Sequence, residues 1–289
     1  MRAPLVALSS ALALLFAVGR ARAVDPFEIQ VYDGTSNAPW SPGIELHVNN
    51  VANGVRTSDP PQLAPHGQTH FTLEPSLGIT PYWEMGAYLQ STLRSDGVFD
   101  YAGTKLRSKF VTPPGWRPHL RLGVNLELSL LPEKYERDRW GSEVRPIAAW
   151  ENARWLLAVN PIVTVPLAGE GYRAGPAFEP ALMAVVKIDD VVGLGLEYYA
   201  SLGPIASPSK LDGQEHYLYE VANLLAVDDL ELNVGVGEGL TSASNKIVLK
   251  MIVGYSWDTQ PKQNTPKSAL FRPLRRNGPG LSSPVRGLR

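Results

Sequence analysis

The 289-residue sequence has no cysteine, only five histidines and no excess of either charge, with 27 Lys and Arg against 28 Asp and Glu for a formal net charge of -1. Each lack removes a class of function. Without cysteine there are no disulfides, thiolate metal ligands, thiol nucleophiles or thiol redox chemistry, so stability must come from packing and backbone pairing. Balanced charge, and no sign of a recognition helix, leave no case for a nucleic-acid partner. After Ala23 no apolar run approaches the roughly 20 residues of a helical membrane span, so the rest of the chain could enter a membrane only as strands.

What is present begins with a leader. Arg2 precedes the apolar run Leu5 to Val18, and the triplet Ala21-Arg22-Ala23 follows it. Residues 1–23 therefore read as a secretory signal, with the mature chain starting near Val24.

Beyond that, the chain alternates. From His119 to Leu130, Leu120, Leu122, Val124, Leu126, Leu128 and Leu130 occupy one parity, while His119, Arg121, Gly123, Asn125, Glu127 and Ser129 occupy the other. A period of two is a strand with one apolar and one polar face, and this one is as long as the roughly 9–11 residues of a tilted membrane strand. Similar patterns run through Phe71 to Ile79, Leu194 to Ala200, Leu230 to Val236 and Ile247 to Trp257. The parse gives twelve segments: Gly43–Asn50, Gln68–Ile79, Pro81–Leu93, Ala102–Thr112, Arg117–Leu131, Ser142–Glu151, Arg154–Leu167, Arg173–Ile188, Val191–Pro204, Gln214–Val227, Leu230–Leu240 and Asn245–Trp257. Their connections alternate short and long, as periplasmic turns and extracellular loops do. The expected fold is all-β: an antiparallel, up-and-down transmembrane barrel of about 12 strands over residues 43–257. A periplasmic N-terminal segment (24–42) precedes it and a disordered, basic, Pro-rich tail (258–289) follows. Within 24–42 the short run Phe27 to Tyr32 also alternates, but it is too short to span and lies on the periplasmic side or folds into the lumen. Trp83, Trp150, Trp155, Tyr217, Tyr219, Tyr255 and Trp257 are assigned to the outward parity as interfacial girdles.

The segments Phe71 to Gly78, Leu120 to Leu130 and Ala158-Val159-Asn160-Pro161-Ile162 resemble bacterial outer-membrane β-barrel proteins, and among these the phenol meta-pathway outer-membrane transporter family. The resemblance covers most of Phe71 to Trp257 and implies an outer-membrane location and small-molecule uptake. It carries over no catalytic or ligand-binding residue. The tail beyond Trp257 departs from the usual aromatic C-terminus of such barrels.

A charge facing lipid is costly, so the charged residues of the strands are assigned to the lumen: Glu45, Glu74, Glu84, Lys105, Arg107, Lys109, Arg121, Glu127, Glu143, Arg145, Glu151, Arg154, Glu179, Lys187, Glu197, Glu220, Glu231 and Lys250. Two readings follow. One is a narrow channel or transporter for small solutes with Lys105, Arg107 and Lys109 facing Glu84 and Glu127, and the other is a sealed structural barrel filled by ion pairs. A lipid hydrolase is the rival class. It needs a Ser–His pair near the lipid-facing wall, and the parity places His47, His119 and His216 inward, with His66 and His70 at or beside a loop and His70, near the rim, the one candidate. No enzyme, cofactor or metal site is expected. Gly235-Val236-Gly237-Glu238-Gly239 lacks the lysine and helix of a phosphate loop, and Asp189-Asp190 and Asp228-Asp229 are turn residues. The expected partners are outer-membrane lipid and lipopolysaccharide, the barrel-assembly machinery and a small solute.

Overall fold

A strand in a hydrocarbon layer must pair both of its edges, because no water is there to satisfy its N–H and C=O groups, and a set of strands does this only by closing on itself. A computed structural model describes residues 24–189, 191–224 and 230–257, without the side chain of Glu170. It shows that closure. The strands are β1 (Pro42–Asn53), β2 (Thr69–Thr80), β3 (Trp83–Leu93), β4 (Phe99–Val111), β5 (Leu120–Leu130), β6 (Trp140–Glu151), β7 (Trp155–Ala168), β8 (Ala177–Lys187), β9 (Val192–Ser201), β10 (Glu215–Leu224), β11 (Leu230–Gly239) and β12 (Ile247–Ser256). Each pairs antiparallel with the next, and β1 pairs with β12 to complete the barrel. Among the described residues no helix is long and apolar enough to cross a membrane. The expected signal peptide, the tail 258–289 and residues Asp190, Asp228 and Asp229 lie outside the described residues.

Burial is inverted relative to a water-soluble protein. On β5, Leu120, Leu126 and Leu128 are exposed while Asn125 and Glu127 are buried, and the same contrast recurs on β1 to β4 and β6. An outer surface of Leu, Val and Met suits lipid, not water. The aromatic rings Trp83, Trp150, Trp155, Tyr255 and Trp257 lie on this outer parity at the short-turn end, with Trp83 stacked on Phe110 and Tyr255 edge-on to Trp257. The long connections 54–68, 131–139 and 202–214 gather at the other end. Among the short turns, Asp189 accepts hydrogen bonds from the N–H groups of Val191 and Val192, which hold its carboxyl below the usual range, as a turn aspartate should be held.

Three expectations change. The segment expected from Arg173 begins at Ala177, because Glu170–Arg173 form a single 3-10 turn. Of the two places open to the alternating run Phe27 to Tyr32, the periplasmic side or the lumen, it takes the lumen: the chain from Val24 to Asn37 runs inside the barrel, with Phe27, Ile29, Val31 and Tyr32 buried, and Trp40 is exposed where the segment leaves it. The passage into β1 is tight. Trp40 takes a left-handed φ of 59° and donates to Gly78 O, and a Cβ on Gly78 would lie 2.2 Å from Ala38 O, so only glycine lets the two backbones meet there.

The third change is the parity of β10. Apolar residues occupy both of its parities, so alternation alone does not orient it. Pairing does: Tyr217 lies opposite Tyr199 and Tyr219 opposite Glu197, which turns both tyrosines inward. His216 and Glu220 therefore lie on the outer parity, and Glu220 sits between the exposed Leu196 and Val236. A mid-strand carboxylate on the lipid face costs less than the ~2–4 kcal/mol of Arg or Lys at that depth, but it still costs. Glu220→Leu is expected to raise the unfolding free energy in lipid vesicles by about 1 kcal/mol. A loss of stability in urea titrations would mean that Glu220 meets something other than lipid.

Candidate functional site

The lumen has two unlike walls. Inward residues of β1 to β6 supply charge, while those of β7 to β10 and β12 supply Leu156, Ala158, Ile162, Ala181, Met183, Val185, Tyr199, Tyr217, Tyr219, Val221 and Val248, one continuous apolar and aromatic cluster. The segment 24–37 lies between the walls. It alternates as a strand does: Ile29 and Val31 join the apolar cluster, while Glu28 and Gln30 reach the charged side.

Side chains of the wall take over the backbone pairing that a neighbouring strand would provide. Asn160 both accepts from Tyr32 N (2.7 Å) and donates to Tyr32 O (3.0 Å). Asn49 donates to Pro26 O at 2.9 Å, Thr72 to Phe27 O at 2.9 Å, Arg145 to Gln30 O at 3.2 Å and Arg121 to Asp33 O at 2.7 Å. Buried main-chain groups demand such partners, so the segment is built into the lumen and does not merely rest there.

Charge pairing follows the same plan. Lys105 Nζ lies 2.6 Å from Asp25, 3.3 Å from Glu127 and 3.4 Å from Glu28. Arg145 bridges Glu143 at 2.6 Å and Glu28 at 3.2 Å, with its guanidinium over the Tyr32 ring. The Tyr32 and Tyr88 hydroxyls meet at 2.6 Å, and Tyr88 donates to Glu127 at 3.3 Å. Nearer the short-turn end, Arg107 joins Glu74 (2.5 Å) to Glu84 (2.7 Å), and Lys109 shares Glu84 at 2.9 Å. Arg121 pairs with Glu151 at 2.7 Å and Asp33 at 3.1 Å, Lys187 also pairs with Glu151, and Lys250 meets Glu197 at 2.5 Å.

Of the charged residues assigned to the lumen, Glu45, Glu74, Glu84, Lys105, Arg107, Lys109, Arg121, Glu127, Glu143, Arg145, Glu151, Lys187, Glu197, Glu231 and Lys250 form or border this interior. Glu179 also turns inward and accepts from Thr164 at 3.3 Å. Arg154 is exposed in the turn before β7, where only its backbone is engaged, and Glu220 faces outward. Sequence reasoning missed Asp25, Glu28 and Asp33, the three acids that answer Lys105, Arg145 and Arg121. The signal was the alternation of Phe27 to Tyr32, whose polar parity needed a polar wall.

Beside the segment lies a cavity of about 60 Å³ lined by Tyr32, Glu74, Arg107, Lys109, Glu231 and Lys250 among others, room for a few waters. At the long-loop end, Phe27 packs edge-on against His70 and Tyr135. His70, the residue expected near the rim, is buried beside Thr92. The outward His216 pairs with Tyr198 Oη at 2.6 Å and Gln214 at 2.9 Å. Among the described residues no histidine ring nitrogen is hydrogen-bonded to a serine hydroxyl.

The COG4313 outer membrane channel from Pseudomonas putida F1 superposes with a TM-score of 0.55 at 9% identity, covering 80% of this chain and 100% of that one. A KdgM porin gives 0.50 at 9% identity, over 74% of this chain and 99% of that one. The chain is a β-barrel of outer-membrane type. At such identity the likeness is one of fold. No family model and no curated protein matches the sequence.

Proposed function

We propose that this barrel is an outer-membrane conduit for small organic solutes, held shut at rest by its own N-terminal segment. The observation that carries the reading is the nature of the filling. The barrel wall does not close its lumen with its own side chains; a separate stretch of chain, residues 24–37, occupies it, and its ties to the wall are hydrogen bonds, ion pairs and apolar contacts. Displacing that stretch leaves a passage with a charged side and a tyrosine-lined apolar side. Such a passage suits a solute with an apolar or aromatic body and a polar group, which agrees with the resemblance to phenol meta-pathway outer-membrane transporters. The apolar outer belt supports residence in the outer membrane.

Conductance of the refolded protein in planar bilayers tests this. Wild-type barrels are expected to show little or no steady current. The double variant Ile29→Asp, Val31→Asp places two charges against the apolar wall and is expected to open a persistent conductance with the barrel still heat-modifiable. A folded variant that stays silent would leave the sealed structural barrel, with its ion-paired interior, as the better reading.

A further inference from the structure

We propose that Glu45, His47 and Glu74 form a binding site for a zinc-class divalent cation inside the lumen. The inference stands apart from the conduit reading. Glu45 and Glu74 are direct cross-strand partners on β1 and β2, and His47 follows Glu45 on the same inward face. Like charges placed directly opposite each other destabilise a sheet, so this pairing calls for something positive between the two carboxylates.

The distances fit a metal better than a hydrogen bond. His47 Nε2 lies 3.5 Å from Glu45 Oε2 and 3.4 Å from Glu74 Oε2, beyond a normal N–H···O separation. Donors bound tetrahedrally to zinc at about 2.0–2.2 Å stand about 3.3–3.6 Å apart, and all three donors here lie within 4.8 Å of one another. Both His47 nitrogens and Glu74 Oε2 are buried with no hydrogen-bond partner. An imidazolium would leave two buried N–H donors without a well-placed acceptor, whereas a neutral imidazole ligating through Nε2 leaves one.

The surroundings orient the ligands. Arg107 holds Glu74 Oε1 at 2.5 Å, which frees Oε2 for the site, and Gln30 donates to Glu45 Oε2 at 3.2 Å, using one of that oxygen's two lone pairs. Local charge points the same way. Glu231 and Glu45 lean together over Gly254, whose added Cβ would lie 3.0 Å from Glu45 Cγ and 3.2 Å from Glu231 Cβ. Glu74 lines the same cavity as these two acids, and acids crowded in this way attract a cation. Glu45 and Glu74 also line the lumenal cavity, which leaves the remaining coordination position to water or solute.

The test uses the purified full barrel in detergent micelles, stripped with chelator. Calorimetric titration with Zn²⁺ is expected to show one equivalent bound, and Co²⁺ is expected to give the visible absorption of a four-coordinate site. His47→Ala should abolish the absorption and weaken Zn²⁺ binding by more than the roughly 10–100-fold typical for loss of an outer-sphere partner. Glu45→Gln, which keeps the shape, should weaken binding as well and carries the test if His47→Ala fails to fold. No binding by the folded wild-type protein, as expected if a proton bridges His47 and the carboxylates, would overturn the proposal. So would binding that either folded variant leaves unchanged.

Discussion

Arg107→Glu is expected to lower the unfolding free energy of the barrel by about 3–5 kcal/mol, the usual penalty for breaking a buried ion pair from one side. Arg107 is fully enclosed, its Nε on Glu74 and its Nη1 on Glu84, with the side chain packed over Gly86. The substitution removes the cation that separates two carboxylates and adds a third acid. Lys109→Glu should cost less, because Lys109 is paired only with Glu84 and is less enclosed. Urea unfolding in lipid vesicles followed by tryptophan fluorescence measures both. If the interior were a water-filled pore at rest, the charges would be screened and the Arg107 loss would fall to about 1 kcal/mol or less. The size of the loss therefore reports how dry the resting lumen is.

Leu126→Arg is expected to cost about 2–4 kcal/mol in the same assay, because Leu126 lies mid-strand on the outer face of β5. Its flanking residues on that face are Ser108 of β4 and Val144 of β6, neither of which offers a counter-charge. Leu120→Arg, at the short-turn end of the same strand and opposite Trp150, should cost only about 0–1 kcal/mol, because a side chain there reaches the interface. This depth gradient belongs to a bilayer. Equal penalties at both positions would instead indicate a protein partner covering the belt.

How far the sequence reveals this fold depends on the contrast between the two faces of each strand. On β5 every outward position is Leu or Val and no inward position is, so its span and orientation are legible residue by residue. β10 fails the same reading because its lumenal face meets the apolar cluster. Tyr217, Tyr219 and Val221 point inward while Leu218 and Leu224 point outward, and only the register against β9 separates them. The inserted segment is legible only in part: the alternation of Phe27 to Tyr32 marks it as strand-like but leaves the periplasmic side and the lumen both open. It is too short to span and makes few contacts with its sequence neighbours; its partners, such as Asn160 and Arg145, come more than a hundred residues later. The His47 cluster needs both the pairing of β1 with β2 and the placement of Arg107, and neither is a local property of the chain.

The junction at Trp40 and Ser41 has a consequence for assembly. The inserted residues precede β1, and β1 forms one side of the seam that closes the barrel against β12, a contact between the two ends of the described chain. The inserted residues are made before any strand of the barrel, yet the space that encloses them is complete only when β12 pairs with β1. Loop closure over that sequence distance makes the seam the slowest contact to form. A barrel that zips shut too early would trap the segment outside. The polar handholds on β1, β2 and β5 to β7, facing inward before closure, give it a place to lie while the circle is still open.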